Sequence, residues 1–134
     1  MAAPVPGARV EAAGGTREGR VKVLVCGSRI YKHRADGVRR RLNELPRDTE
    51  IIHGNAEGPD RIAHEWAYGV HVLHIYPADW QRHGRRAGYV RNVRMLEEQK
   101  PDLVLAFWDG RSNGTGHTIR EAEKRAIPVE VVSL

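Results

Sequence analysis

Apolar positions follow two rhythms along the chain. Short β-branched runs recur at Val21, Val23, Leu24 and Val25, then at 51–52, 70–76, 103–108 and 129–132. Their lack of polar alternation predicts five strands buried on both faces. Between the runs, apolar residues step at helical spacing: Val38, Leu42 and Leu45, then Ile62, Ala63, Trp66 and Ala67, then Val90, Val93 and Leu96. Each stripe predicts an amphipathic helix. Gly58-Pro59 marks the start of the second one, because proline lacks an N–H that a first helical turn leaves unpaired anyway. A fourth helix is predicted from about Thr115 to Arg125, stopping before Pro128. Strict alternation of strand and helix predicts an α/β fold, a five-stranded, mainly parallel sheet with helices on both faces. Residues 1–20 follow neither rhythm and carry Pro4, Pro6, Gly7, Gly14 and Gly15. They are expected to form a flexible tail ahead of one domain at 21–134.

Composition narrows the possibilities without choosing among them. A length of 134 residues with 40% hydrophobic and 29% charged side chains suits one globular unit, and excludes a repeat array or wholesale disorder. No apolar run reaches the roughly 18 residues of a spanning helix, so no membrane partner is expected. The lone Cys26 and the absence of a signal-peptide pattern point to a reducing cytoplasm. A formal charge of +5 makes phosphate-bearing partners plausible. Three Arg against two Glu in residues 1–20 leave most of that excess on the domain.

In open parallel sheets, ligands bind beyond the carboxyl ends of the strands. Here those ends carry Gly27-Ser28-Arg29, then His53-Gly54-Asn55-Ala56-Glu57-Gly58, then Pro77-Ala78-Asp79-Trp80, and Asp109-Gly110 followed by Asn113-Gly114-Thr115-Gly116. Glycine lets backbone N–H groups approach an anion, although any one such loop is equally a tight turn. Together at one edge they favour a ligand site. There is no Walker-A lysine and no Gly-x-Gly-x-x-Gly, so neither a standard P-loop nor a dinucleotide fingerprint is supported.

The third connection holds Arg82, Arg85 and Arg86, with Arg91-Asn92 just inside the next helix. A guanidinium fork suits phosphate oxygens; Arg91 is the favoured clamp, while Arg85 and Arg86 read better as solvated surface. Trp80 could stack on a base or close the core. Asp60 suits either a helix cap or a ribose hydroxyl. Cys26 reads as a buried structural thiol. The histidines show no metal spacing and no His-Glu-x-x-His, so no metal or cofactor is expected. His53 and His117 flank the crevice, where packing is the better reading than ligand contact. The run Arg39-Arg40-Arg41 reads as a solvated helix face.

Five ordered motifs carry a family resemblance: VLVCGSR at 23–29, IIHGNAEGPD at 51–60, YPADW followed by HG, AG and RN across 76–92, KPDLVLAFWDG at 100–110 and SNGTGHTI at 112–119. The chain after the tail resembles the YspA, cpYpsA-related branch of the SLOG superfamily. The resemblance implies a Rossmann-like three-layer sandwich that binds nucleotides or nucleotide-derived molecules at the strand ends. Matching motifs carry the ligand role to Gly27, Ser28, Arg29, Gly54, Asn55, Ala56, Asp60, Arg91, Asn92, Gly114, Thr115 and Gly116, with Asp79 and Trp80 in a further family motif.

The superfamily includes phosphoribohydrolases, DNA-processing proteins that hold single strands, and sensor domains of phage defence. The phosphoribohydrolase pattern Pro-Gly-Gly-x-Gly-Thr-x-x-Glu places Thr118 where that branch has glutamate, and Glu121 lies a turn beyond. A hydroxyl does not replace a carboxylate in glycosidic chemistry, so the reading leans away from an enzyme. The leading expectation is a sensor or sequestering module for a nucleotide or ribose-phosphate derivative. Hydrolysis of an N-glycosidic or phosphoester bond is the first alternative, and single-stranded nucleic-acid binding the second. Relatives that pair through helices make self-association plausible.

Overall fold

A computed structural model describes Ala8–Val10 and residues 20–134. Its elements in chain order are β1 Ala8–Val10, β2 Lys22–Gly27, α1 Ala35–Leu42, β3 Glu50–His53, α2 Pro59–Ala67, β4 Leu73–Ile75, α3 Trp80–His83, α4 Ala87–Gln99, β5 Leu103–Phe107, α5 Asn113–Lys124 and β6 Val129–Val132. Tight 3-10 turns occupy Arg29–His33 and Gly84–Arg86. The sheet order is β1-β4-β3-β2-β5-β6, with β2 through β6 parallel and only β1 antiparallel.

Alternation along β2 explains the three layers. Val23 and Val25 point into one core with Val38 and Leu42 of α1 and Ile62, Ala63 and Ala67 of α2. Leu24 and Cys26 point into the other, against Met95 and Leu96 of α4 and Ile119 and Ala122 of α5. All four strand residues from Val23 to Cys26 are buried. Removing a side chain of this kind from water contributes roughly 1.5–3 kcal/mol, which is why the central strand carries no polar face. The chain winds from β2 through β3 to β4 on one side and reaches β5 and β6 on the other. The reversal lies between β2 and β5, the position where such sheets open a crevice.

The structure departs from the sequence expectation in two places. The expected flexible tail supplies β1, which pairs Ala8 with Ile75 and Val10 with Leu73. An otherwise open edge of β4 offers unpaired backbone groups, and three extended residues suffice to meet them. The remaining tail residues lie outside those described. The strand expected at 70–76 shortens to Leu73–Ile75, because the N–H groups of Val70 and His71 turn back to the Ala67 carbonyl at the end of α2.

Candidate functional site

A cavity of about 330 Å³ opens at the β2/β5 reversal. Cys26, Met95 and Thr118 line it together with Asp60 and Ala56 from the β3–α2 connection. Tyr89, Arg91 and Asn92 enter from α4, Gly114 and Thr115 from α5, and Trp80 and Arg85 from the segment between β4 and α4.

Asp60 sits in the first turn of α2, only 5% exposed. Its Oδ2 accepts the N–H groups of Gly54 at 2.9 Å and Ala56 at 3.3 Å. The glycine-rich loop after β3 therefore directs these amides at its own carboxylate. Burial pushes the Asp60 carboxyl up to about 6, opposed by the neighbouring Arg91 charge and the backbone N–H groups.

Arg91 is mostly buried. Its Nη1 donates to the Gly54 carbonyl and, at 3.4 Å, to the Tyr76 carbonyl, while its Nε donates to Asn92 Oδ1 at 2.9 Å. Desolvation lowers its pKa, and Asp60 opposes the shift. Glycine at 54 leaves room for this arrangement, because a Cβ at that position would displace the guanidinium. Asn92 in turn donates from Nδ2 to the Gly114 carbonyl at 3.2 Å, joining α4 to the start of α5.

The N-terminus of α5 is open. Ser112 stands at the cap without a side-chain hydrogen bond into the helix. The first backbone bond runs from Gly116 N–H to the Ser112 carbonyl, and the N–H groups of Asn113, Gly114 and Thr115 have no partner among the described residues. The Thr115 hydroxyl is 5% exposed, lines the cavity and is likewise unpartnered. Unpaired donors plus the helix dipole make this wall attractive to an anion.

Of the residues expected to contact a ligand, Gly27, Arg29, Ala56, Asp60, Trp80, Arg91, Asn92, Gly114 and Thr115 line the cavity. The others stand elsewhere. Ser28 is buried in a separate cluster, donating to Asp109 Oδ1 at 3.0 Å and lying 2.7 Å from the Ser112 hydroxyl. Asp79 caps α3 by accepting the Arg82 N–H at 3.1 Å. It lines a smaller neighbouring cavity of about 110 Å³ with Arg82 and Arg94. Gly54 and Asn55 support the loop from behind, and Gly116 packs on Trp108 inside α5. Gly27 borders the cavity but also admits Pro59 of α2 against the strand end, where a Cβ would overlap it.

His53 is fully buried and structural. Its Nδ1 accepts the Asn55 N–H at 2.9 Å, so its proton lies on Nε2 and faces His64 Nδ1 at 2.9 Å. Burial pushes its pKa down to about 3, leaving it neutral while it holds the left-handed turn at Asn55. His117 packs against Tyr89 in a tilted arrangement, with ring centres 4.4 Å apart. Arg85, expected as plain surface, is exposed but edges the cavity mouth, and Tyr89 does the same. The sequence weighs Arg85 as a clamp and favours surface, while Tyr89, outside the glycine loops, draws no reading from the strand ends. Thr118 takes its place in the lining and donates to the Gly114 carbonyl at 3.2 Å. Glu121 points away from this wall into bridges with Lys124 and Arg125. Among the described residues, no group of three His, Cys, Asp or Glu side chains could hold a metal ion, and no helix is long and apolar enough to cross a membrane.

Comparison with known proteins bears on the family and the fold. The model of the YspA, cpYpsA-related SLOG family matches residues 21–83. The gene 61 protein of Mycobacterium phage D29 is 40% identical over 117 residues, spanning 81% of this chain and 93% of that protein. The crystal structure of MurG from Acinetobacter baumannii superposes with a TM-score of 0.52 at 16% identity, covering 84% of this chain and 35% of that one. The shared feature is the Rossmann-like architecture, and this chain spans about a third of MurG's length.

Proposed function

Because the chain belongs to the YspA, cpYpsA-related SLOG family, we propose that it binds a nucleotide or ribose-phosphate derivative in the β2/β5 crevice, as a sensor or sequestering module. The observation that carries this reading is the open N-terminus of α5. Gly114 and Thr115, whose backbone N–H groups and Thr115 hydroxyl have no partner among the described residues, line the same cavity as Asp60. A phosphate there takes up these donors, and the helix dipole adds to its attraction. Arg29 and Arg85 at the mouth draw anions in, and Trp80, 62% exposed, offers a face for a base.

Binding without hydrolysis is supported by the lining itself. Thr118 stands where the phosphoribohydrolase pattern has glutamate, with its hydroxyl turned to the Gly114 carbonyl, and Glu121 is held by two cations. Calorimetric titration with nucleoside monophosphates, ADP-ribose and cyclic nucleotides tests the proposal. Saturable binding of at least one is expected, and uniform absence of heat overturns it. Chromatography of the same mixtures should show no released base; steady release would replace the sensor reading by an enzyme.

A further inference from the structure

We propose that the crevice selects a single ribonucleotide, with Asp60 Oδ1 as the acceptor that reads a ribose hydroxyl. This rests on the nucleotide reading above and adds the class of nucleotide and the residue that chooses it. Both hydrogen bonds that other residues give to Asp60 fall on Oδ2, from Gly54 and Ala56. Among the described residues none other than Asp60 itself, whose own N–H also faces the carboxylate, gives a donor to Oδ1, although the residue is 5% exposed and forms part of the cavity wall. An ionised carboxylate has about four acceptor sites, and a buried one left without a donor is costly.

The neighbouring cation does not supply that donor in this structure. Arg91 directs Nη1 at the Gly54 and Tyr76 carbonyls and Nε at Asn92, and it makes no hydrogen bond to Asp60. The missing donor therefore comes from whatever occupies the crevice. A sugar hydroxyl is a donor that can enter such a site without bringing a second charge. With the phosphate on the Gly114 and Thr115 wall and the sugar at Asp60, Trp80 at the rim is left for the base.

Size supplies the other half of the assignment. At about 330 Å³ the cavity lies near the lower end of the roughly 300–1,000 Å³ typical of small-molecule sites. It accommodates one nucleoside phosphate, and a dinucleotide would leave its second half in solvent.

The test is titration calorimetry of the full chain with the four ribonucleoside 5′-monophosphates, their 2′-deoxy and 3′-deoxy counterparts, and a dinucleoside pyrophosphate. Loss of one hydroxyl should weaken the best ribonucleotide about 10- to 100-fold, the span of a hydrogen bond to a charged group. Asp60→Asn should shrink that ratio to under about threefold, with thermal unfolding confirming that the variant is folded. The wild-type comparison stands without any variant. Equal affinity for the ribo and both deoxy forms overturns the role of Asp60 while leaving nucleotide binding intact. Tighter binding of the dinucleotide than of every mononucleotide overturns the size assignment. Failure of all nucleotides instead overturns the underlying reading.

Discussion

Two carboxylates at the same edge of the sheet live in opposite surroundings. Asp109 is exposed after β5, and its Oδ1 accepts the N–H groups of Arg111 and Ser112 at 2.9 Å and the hydroxyls of Ser28 and Ser112 at 3.0 and 3.2 Å. Those donors hold its pKa down at about 2, and the cluster is complete in itself. Asp60, after β3, likewise takes its donors from other residues on one oxygen, but it is buried where Asp109 is open to solvent, and burial pushes it up to about 6. Around it the Thr115 hydroxyl and the first α5 N–H groups are also unpaired. Both regions are made of Gly, Ser, Thr, Asn and Asp at strand ends. What separates the Asp109 turn from the proposed ligand site is that the spare hydrogen-bonding capacity of the latter is buried.

The largest effect should come from removing the cation beside Asp60. Arg91→Leu strands a buried carboxylate and frees the Gly54 carbonyl, so urea unfolding at pH 7 should show a loss of about 3–5 kcal/mol. Part of the loss should return below pH 6 as Asp60 protonates. A loss under about 1 kcal/mol would mean that the two charges are not coupled as described.

Next comes Asp60→Asn, where the two carboxylates give opposite signs. The folded pKa of Asp60 lies above its ordinary value of 3.8, so its stabilising contribution is full below 3.8 and is lost as pH rises through about 6. Asn cannot ionise and keeps an oxygen for Gly54 and Ala56. The variant should exceed wild type by on the order of 2–3 kcal/mol at pH 8, at most, and by little at pH 4, while losing ribonucleotide affinity. For Asp109 the folded pKa is depressed, so its contribution is present above 3.8 and lost as pH falls through about 2. Asp109→Asn should therefore destabilise at pH 7. Matching pH profiles for the two variants would erase the distinction.

A smaller pair of effects divides the regions most cleanly. Ser28→Ala removes the acceptor of the Asp109 N–H at 3.0 Å and should cost about 1–3 kcal/mol of stability with under twofold change in nucleotide affinity. Thr115→Val should cost under about 0.5 kcal/mol of stability yet weaken nucleotide binding about tenfold. The reverse pattern would place the ligand on the Asp109 cluster. Smallest of all, Trp80→Ala should weaken binding by about fivefold, near the low end of base stacking, because its ring keeps one open face. Unchanged affinity would remove Trp80 from the site.

Much of the architecture could be read from periodicity, because Val23 to Cys26 must satisfy two cores at once and admit no polar residue. The strand β1 could not, since three residues among prolines and glycines set up no alternation and pair only because β4 is an edge. At the site, Asp60, Arg91, Gly114 and Thr115 were legible as polar residues at strand ends and helix starts. The division of labour among them was not. Ser28 finds its partner Asp109 81 positions away, and that contact turns an apparent ligand residue into part of a scaffold. Gly54 looks like a phosphate glycine but makes room for the Arg91 side chain 37 positions on. Arg85 reaches the mouth from a turn with no period of its own, and Tyr89 from the start of α4, off its apolar stripe.

The most direct test of unused donors as the mark of the site is an amide NMR titration of the wild-type chain with its tightest-binding nucleoside monophosphate. The account expects large, saturable shifts at the N–H groups of Asn113, Gly114 and Thr115 and at the Trp80 indole, with Arg111 and Ser112 nearly still. Saturable shifts centred on Arg111 and Ser112, with Gly114 and Thr115 unmoved, would contradict it.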